Sequence, residues 1–188
     1  GARFLRSIMM IPWVIPTVIA GLLWAWIYAN PYGLLQYLVS IFSGGKITGF
    51  GILNNQSTAL WGIIIAALWK QIPLMALLLL SGMQSIPDDM LEAAKIDGAT
   101  KWQTLTRVTI PNIMPSITIC LFLTITNGFK LFDQNLALTN GQPFEQLKDG
   151  SVIKTTEMLA LNIYNTFYGQ SLTGKGVAQA KAVIFFIL

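Results

Sequence analysis

The sequence has 188 residues, of which 54% are hydrophobic and 11% are charged, and its formal net charge is +4. A soluble domain carries about 25% charged residues, so this composition indicates a chain that is solvated mainly by lipid. The single cysteine excludes an intrachain disulfide, and the lack of histidine argues against an ordinary zinc or haem site. The lysines and arginines form no cluster that suits a nucleic-acid groove, so no nucleic-acid partner is expected.

Apolar segments of membrane-spanning length recur along the chain. A helix needs about 20 predominantly apolar residues to cross a bilayer core. Residues 8–29, 58–83 and 113–132 meet that length, and a further apolar segment covers residues 177–188. We therefore expect an all-α, polytopic transmembrane helical bundle with three full spans and the start of a fourth, as a fragment of a longer membrane protein.

The segment 84–111, between the second and third predicted spans, is polar and carries signals for two short helices. A hydroxyl residue followed three residues later by an acidic or amide residue forms a capping pair, glycine ends a helix in the left-handed conformation, and proline stops a helix. The residues in these positions are Ser85 with Asp88, Gly98, Thr100 with Gln103, and Pro111. We therefore expect two helices joined at Gly98.

The first of these helices presents a face of small residues formed by Ala93, Ala94 and Gly98. Small residues let another backbone approach closely, which suits insertion of the helix into a groove on a partner protein. The alternative is a loop helix that folds back onto its own bundle. The physical pattern alone leaves both interpretations open.

The placement of lysine and arginine predicts the orientation, because short cytoplasmic loops carry an excess of these residues. Lys46 is the one such residue in the short loop between the first two spans. The opposite side carries Arg3, Arg6, Lys95, Lys101 and Arg107. We therefore expect residues 84–111 in the cytoplasm and residues 134–176 on the extracytoplasmic side, where residues 156–168 form an amphipathic helix lying against the membrane or another subunit.

Polar residues inside the apolar spans mark a candidate path for a solute. Lys70 would cost about 2.5–3.5 kcal/mol if it faced lipid at mid-bilayer, so we expect it to face the bundle or a wet cavity. Gln71 follows it, and Thr124, Asn127 and Leu131 are spaced to share one face of the third span. The alternative role for Lys70 and Asn127 is hydrogen bonding between helices.

One motif carries a specific resemblance. It consists of Glu92-Ala93-Ala94, three residues, Gly98, nine residues, and Val108-Thr109-Ile110-Pro111. This pattern resembles the EAA loop of the permeases of binding-protein-dependent ABC importers, in which isoleucine and leucine are usual where Val108 and Ile110 stand. Residues 138–143, Leu-Thr-Asn-Gly-Gln-Pro, resemble the carbohydrate branch, which includes the maltose-type subunits, although Gln142 replaces a common glycine.

The resemblance implies a type I ABC importer permease fold in the bacterial plasma membrane. It implies that the EAA loop is a coupling helix docked on a cytoplasmic ATPase, through Glu92, Ala93, Ala94, Asp97, Gly98 and Pro111. The implied partners are a second permease subunit, two ATPase subunits and an extracytoplasmic solute-binding protein. ATP and Mg²⁺ belong to the ATPase, because this chain has no P-loop frame and is expected to need no cofactor of its own.

Alignment on the EAA and Thr-Asn-Gly blocks also implies positions that contact the sugar in a maltose-type subunit. They correspond to Ala67, Lys70, Gln71, Leu74, Thr124, Asn127, Gly128 and Leu131. The resemblance thus implies the permease subunit of an ATP-driven importer for a sugar or oligosaccharide, and not an enzyme. The alternatives are an ABC permease for another polar solute, such as glycerol phosphate, or an ion-coupled secondary transporter.

Overall fold

The computed structural model describes residues 2–169 and 173–187. The helices before the central polar segment are α1 (Ala2–Met9), α2 (Ile11–Val14), α3 (Thr17–Tyr28), α4 (Leu34–Phe42) and α5 (Gln56–Gln84). The helices after them are α6 (Asp88–Ile96), α7 (Lys101–Thr104), α8 (Ile110–Asn112), α9 (Met114–Phe129), α10 (Asp133–Leu138), α11 (Leu159–Tyr168) and α12 (Gly174–Ile187). A π-helical turn, Leu105–Thr109, joins α7 to α8.

The predicted all-α class is confirmed, with one small addition. Strands β1 (Phe144–Gln146) and β2 (Val152–Lys154) pair antiparallel, with Glu145 opposite Ile153. The sequence analysis did not predict this hairpin, nor the short helices α4 and α10. All three lie in loops between apolar segments, where tertiary contacts rather than hydrophobic periodicity determine the local structure.

Among the described residues, α5 is the one continuous helix that is long and apolar enough to cross a membrane. The number rises to three if each pair of helices separated by a short break counts as one span. The first predicted span is such a pair, because α2 ends at Val14 and α3 begins at Thr17. Pro16 explains the break, since a proline disfavours the helical conformation of the residue before it.

The third predicted span is also shorter than expected. Helix α9 has 16 residues, and the helical stretch Lys101–Asn112 before it meets it at a bend of 68°. The predicted span continued to residue 132, but the helix ends at Phe129 and α10 begins at Asp133. The described part of the fourth span, α12, has 14 residues, which is too few to cross a bilayer alone.

The residues form two compact units, each with its own contacts. The first unit contains the residues up to Trp13 together with Gln71–Gly128, and the second contains Val14–Lys70 and the described residues from Phe129 onward. In the second unit, Tyr28, Ile63, Ala66 and Leu138 form a buried apolar cluster. Tyr28 also donates a hydrogen bond from its hydroxyl to the Gly62 carbonyl at 3.2 Å, which ties α3 to α5.

Within the first unit, the second half of α5 lies against α9. The Cys120 thiol donates to the Met75 carbonyl at a sulfur–oxygen distance of 3.9 Å. A Cβ placed on Gly82 would overlap the Ser116 hydroxyl, so glycine at this position allows the two helices to approach closely. The spans that flank the polar segment 84–111 are therefore neighbours along this part of α5.

The predicted amphipathic helix over residues 156–168 begins three residues later than expected, at Leu159. Thr156 is buried and hydrogen-bonded in a turn, where its hydroxyl donates to the Gln142 carbonyl at 2.6 Å. Asn135 is fully buried beneath this turn and donates to the Thr156 carbonyl at 2.8 Å. The side chain of Asn135 therefore fixes the turn that precedes α11, a role that sequence spacing did not reveal.

Candidate coupling segment and translocation residues

Residues 84–111 are called the coupling segment below. Its first helix, α6, begins at Asp88, as expected, but without the predicted serine cap. Its N-cap residue is Pro87, and no side chain caps it. The Ser85 hydroxyl instead donates to the Gly82 carbonyl at 2.7 Å, within the last turn of α5. Asp88 and Asp89 occupy the first turn, where the positive end of the helix stabilises acidic groups. Glu92 lies beyond that turn, so the helix dipole does not explain its position.

The C-terminal end of α6 is closed by a Schellman motif. Ala99 N–H donates to the Ala94 carbonyl at 3.0 Å, and Gly98 N–H donates to the Lys95 carbonyl at 3.1 Å. Gly98 has a φ of +72°, the left-handed conformation that was predicted for it. A Cβ at this position would meet no atom within 4 Å. Within this chain, glycine is therefore required by its backbone conformation and not by crowding.

The second helix of the segment begins as predicted and ends differently. Thr100 and Gln103 form a complete capping box, in which each side chain accepts a hydrogen bond from the other residue's backbone N–H. Pro111 was expected to stop this helix, but helical structure continues through α8 to Asn112. The proline lies in the first turn of α8, directly after the π-helical turn. The chain changes direction after Asn112.

Most of the residues assigned to coupling are exposed: Glu92, Ala93, Asp97, Gly98 and Pro111. Ala94, by contrast, is buried. Two large apolar side chains that the sequence analysis did not select lie on the same segment, Ile96 with 86% of its surface exposed and Trp102 with 71%. The exposed surface of the segment therefore combines these apolar side chains with the polar groups of the capping box.

Five of the predicted translocation residues belong to the first unit: Gln71, Leu74, Thr124, Asn127 and Gly128. The Gln71 Oε1 atom is buried and accepts no hydrogen bond from the described residues. The Thr124 hydroxyl donates to the Cys120 carbonyl at 2.8 Å and lies 3.9 Å from the Met75 sulfur. Thr124 therefore lies beside the half of α5 that carries Gln71 and Leu74. Asn127 and Gly128 are exposed in the last turn of α9.

The remaining three, Ala67, Lys70 and Leu131, belong to the second unit. The Lys70 ammonium group donates to the Ile15 carbonyl at 2.5 Å, at the break between α2 and α3. Leu131 was expected to share a helical face with Thr124 and Asn127, but it lies beyond the end of α9. There it packs against the buried cluster around Tyr28. Ala67 is half-buried on α5.

Comparison with known proteins identifies the family. A family model described as the inner membrane component of binding-protein-dependent transport systems matches residues 1–188. The chain belongs to this family. The predicted resemblance to binding-protein-dependent ABC permeases is therefore confirmed. The match includes the EAA motif and the polar segments 84–111 and 134–176.

Several relatives of this inner membrane component are sugar permeases by name. It is 37% identical to the probable starch degradation products transport system permease of Thermoanaerobacterium thermosulfurigenes, over 99% of this chain and 58% of that protein. It is 34% identical to the trehalose/maltose transport system permease of Thermococcus litoralis, over 100% of this chain and 59% of that protein. The chain thus spans somewhat more than half the length of these relatives.

The fold matches solved structures of an importer. A bacterial alginate ABC transporter, in complex with an alginate pentasaccharide-bound periplasmic protein, aligns with a TM-score of 0.80 and 22% identity. The alignment covers 98% of this chain and 60% of that one. The ABC importer permease fold predicted from the EAA motif is therefore confirmed.

Proposed function

We propose that this inner membrane component is the translocating subunit of an ATP-driven importer for a sugar or oligosaccharide, in the plasma membrane of a bacterium. The observation that carries the proposal is the family match over the whole chain, joined to relatives whose names specify starch products, trehalose and maltose. A solute-binding protein on the extracytoplasmic side delivers the sugar. A second permease subunit completes the path.

The coupling segment supports a cytoplasmic ATPase as the motor. The short connection between α6 and α7 is fixed at both ends. The Schellman motif at Gly98 closes α6, and the capping box at Thr100 begins α7. Ile96 and Trp102 are exposed beside that connection. Burying a large apolar side chain on a partner contributes about 1.5–3 kcal/mol. The two short helices, each with one such side chain, transmit the motion of the ATPase, which binds ATP and Mg²⁺, into the membrane helices.

The first unit supplies polar groups that suit a neutral sugar. Gln71 offers a buried acceptor without a partner among the described residues, and Asn127 offers an exposed amide. An unpartnered buried acceptor is costly unless a ligand or water satisfies it, and a sugar hydroxyl is a donor that can do so. We propose that Gln71, Leu74, Thr124, Asn127 and Gly128 line the path. Lys70 is assigned a different role, holding the helix break at Ile15.

Reconstitution tests this function. The full-length subunit, its second permease subunit and the ATPase are placed in proteoliposomes with candidate sugars and the binding protein. We expect ATP hydrolysis to rise when the sugar-loaded binding protein is added and labelled sugar to accumulate inside. An ATPase subunit with its P-loop lysine replaced is the matched control. Uptake that persists with this control, driven by an ion gradient, would contradict the proposal.

A further inference from the structure

Helix α4 carries an apolar face that no described part of the chain covers. Its members follow the spacing of one helical face, and between 41% and 88% of each side chain is exposed. They are Leu34, Tyr37, Leu38, Ile41 and Phe42. No charged residue occurs on α4 or anywhere in residues 29–45. Such a surface is poorly suited to water.

The opposite side of α4 is held by contacts with the rest of the second unit, which oppose rotation of the helix about its axis. Leu35 packs against the buried cluster around Tyr28. Gln36 is buried, and its Nε2 donates to the Ile47 carbonyl at 3.3 Å. Its Oε1 accepts from Phe50 N–H at 2.6 Å. One buried amide thus holds the helix to the loop that follows it, and the exposed face keeps a fixed direction.

The start of α4 is joined to the end of α3, the second half of the first predicted span. Gly33 N–H donates to the Ala29 carbonyl at 2.7 Å, directly after α3 ends at Tyr28. The apolar face therefore begins where the chain leaves the apolar segment of the first predicted span. Tyr32, with 89% of its surface exposed, and Tyr37 add aromatic rings of the kind that gather at membrane–water borders.

We propose that α4 is an interfacial helix whose apolar face inserts into the lipid at the border between the acyl chains and the headgroups. A helix with one apolar face and no charge, held at the end of a span, gains stability from lipid and not from water. The face begins directly after the end of α3, where the first predicted span leaves the apolar layer, so the border of the bilayer is the apolar surface nearest to it. The occupant is therefore the bilayer. Its role is to fix the depth and tilt of the first span.

The test measures which solvent the face contacts in the assembled transporter. Tyr37→Cys, Leu38→Cys and Ile41→Cys are made singly in the full-length subunit from which Cys120 and any other cysteine have been removed. Each is labelled with an environment-sensitive fluorophore in lipid nanodiscs. Quenching by phosphatidylcholine with a spin label high on its acyl chain is compared with quenching by aqueous iodide. Lys46→Cys, at an exposed charged position four residues past the helix, is the control.

We expect the three α4 labels to be quenched by the lipid-borne quencher, and about threefold less by iodide than the Lys46 label is. Strong iodide quenching of all four labels would overturn the proposal. Shielding from both quenchers would also overturn it, because the face would then be covered by protein, either another part of the full-length subunit or the second permease subunit. Iodide quenching that disappears on addition of the binding protein would identify that protein as the occupant instead. Phe42→Cys, at the most exposed position, replaces any variant that fails to assemble.

Discussion

Gly98 shows how one residue sets the geometry of the coupling segment. Its left-handed conformation allows the N–H groups of Ala99 and Gly98 to donate to carbonyls in the last turn of α6. The helix therefore ends within two residues. For a residue with a Cβ, this conformation is less stable than the right-handed one by about 1–2 kcal/mol, and the difference is smaller for asparagine. The open space around Gly98 means that size alone does not exclude a side chain here.

We expect Gly98→Val to abolish coupling and Gly98→Asn to retain most of it. Valine is β-branched and resists a positive φ, so the helix end must open and α7 must shift. Sugar uptake by proteoliposomes and co-purification of the ATPase measure the effect. If the asparagine variant fails as completely as the valine variant, crowding at the partner's surface, and not backbone conformation, determines the need for glycine.

Glu157 gives a pH-dependent prediction outside the membrane segments. Burial alone would raise the pKa of this carboxyl, but hydrogen bonds from Asn165 and Asn162 and the charge of Lys154 outweigh it, so its pKa lies below the ordinary value of 4.5. A depressed pKa contributes stability above the unfolded value, and that stability is lost as the pH falls through the folded value.

Glu157→Gln should therefore lower the thermal unfolding midpoint of the detergent-solubilised transporter at pH 7, with a difference that shrinks below about pH 4.5. Differential scanning fluorimetry across this range measures it. Glu145→Gln is the matched control, because Glu145 has no side-chain hydrogen bond or ion pair among the described residues. A constant difference for Glu157→Gln at all pH values would contradict the assigned role of its charge.

At the scale of elements, helices α3 and α10 are in close contact at Gly21, which has no side chain to separate them. A Cβ on Gly21 would lie 2.7 Å from the Cβ of Ala137 and 3.6 Å from the Gln134 Cα. The distance to the Ala137 Cβ is too short for a real contact, so a side chain at Gly21 must push α10 away from α3. Overpacking of this kind costs about 1–3 kcal/mol.

We expect Gly21→Ala to lower the unfolding midpoint of the purified transporter. Gly176→Ala on α12 should leave it unchanged or raise it, because a Cβ there meets no atom within 4 Å and alanine favours helix by up to about 1 kcal/mol. Scanning fluorimetry of both variants makes the comparison. Equal destabilisation by the two would mean that α3 and α10 are not in close contact in the assembled transporter.

Elements governed by local signals were predictable and the others were not. The capping box at Thr100 and the left-handed Gly98 depend on residues within four positions of each other, and both predictions were confirmed. The predicted Ser85 cap was wrong, because the hydroxyl has a competing carbonyl in the helix before it. The turn at Thr156 depends on Asn135, which is distant in sequence. Hydrophobic periodicity carries no information about such contacts.

At the scale of the whole molecule, composition indicated a membrane protein and one motif indicated its family. The break at Pro16 was missed, because a run of apolar residues looks the same to a length criterion whether its helix is continuous or interrupted. The sugar path was inferred from resemblance, and the structure separates its members by environment. Gln71 has a buried oxygen without a hydrogen-bond partner in the part of the chain that the structure describes, whereas the neighbouring Lys70 donates to a backbone carbonyl.

This difference predicts opposite outcomes for two adjacent residues. Gln71→Ala removes a proposed hydrogen bond to the sugar, worth about 0.5–1.5 kcal/mol net, so uptake should fall several-fold without loss of assembled transporter. Asn127→Ala should behave in the same way. In both variants, stimulation of ATP hydrolysis by the loaded binding protein should largely survive, because in the proposed mechanism that signal reaches the ATPase through the coupling segment and does not require the sugar contact.

Lys70→Met retains the length of the side chain and removes the donor to Ile15. We expect a lower yield of assembled complex and a lower unfolding midpoint, because the partly buried carbonyl at the helix break loses a hydrogen bond from a charged donor, worth about 1.5–3 kcal/mol net. Sugar selectivity among the surviving complexes should match the wild type, as judged by competition between unlabelled sugars for uptake. A variant that assembles normally but changes its preferred sugar would place Lys70 in the path beside Gln71 and would remove its structural role.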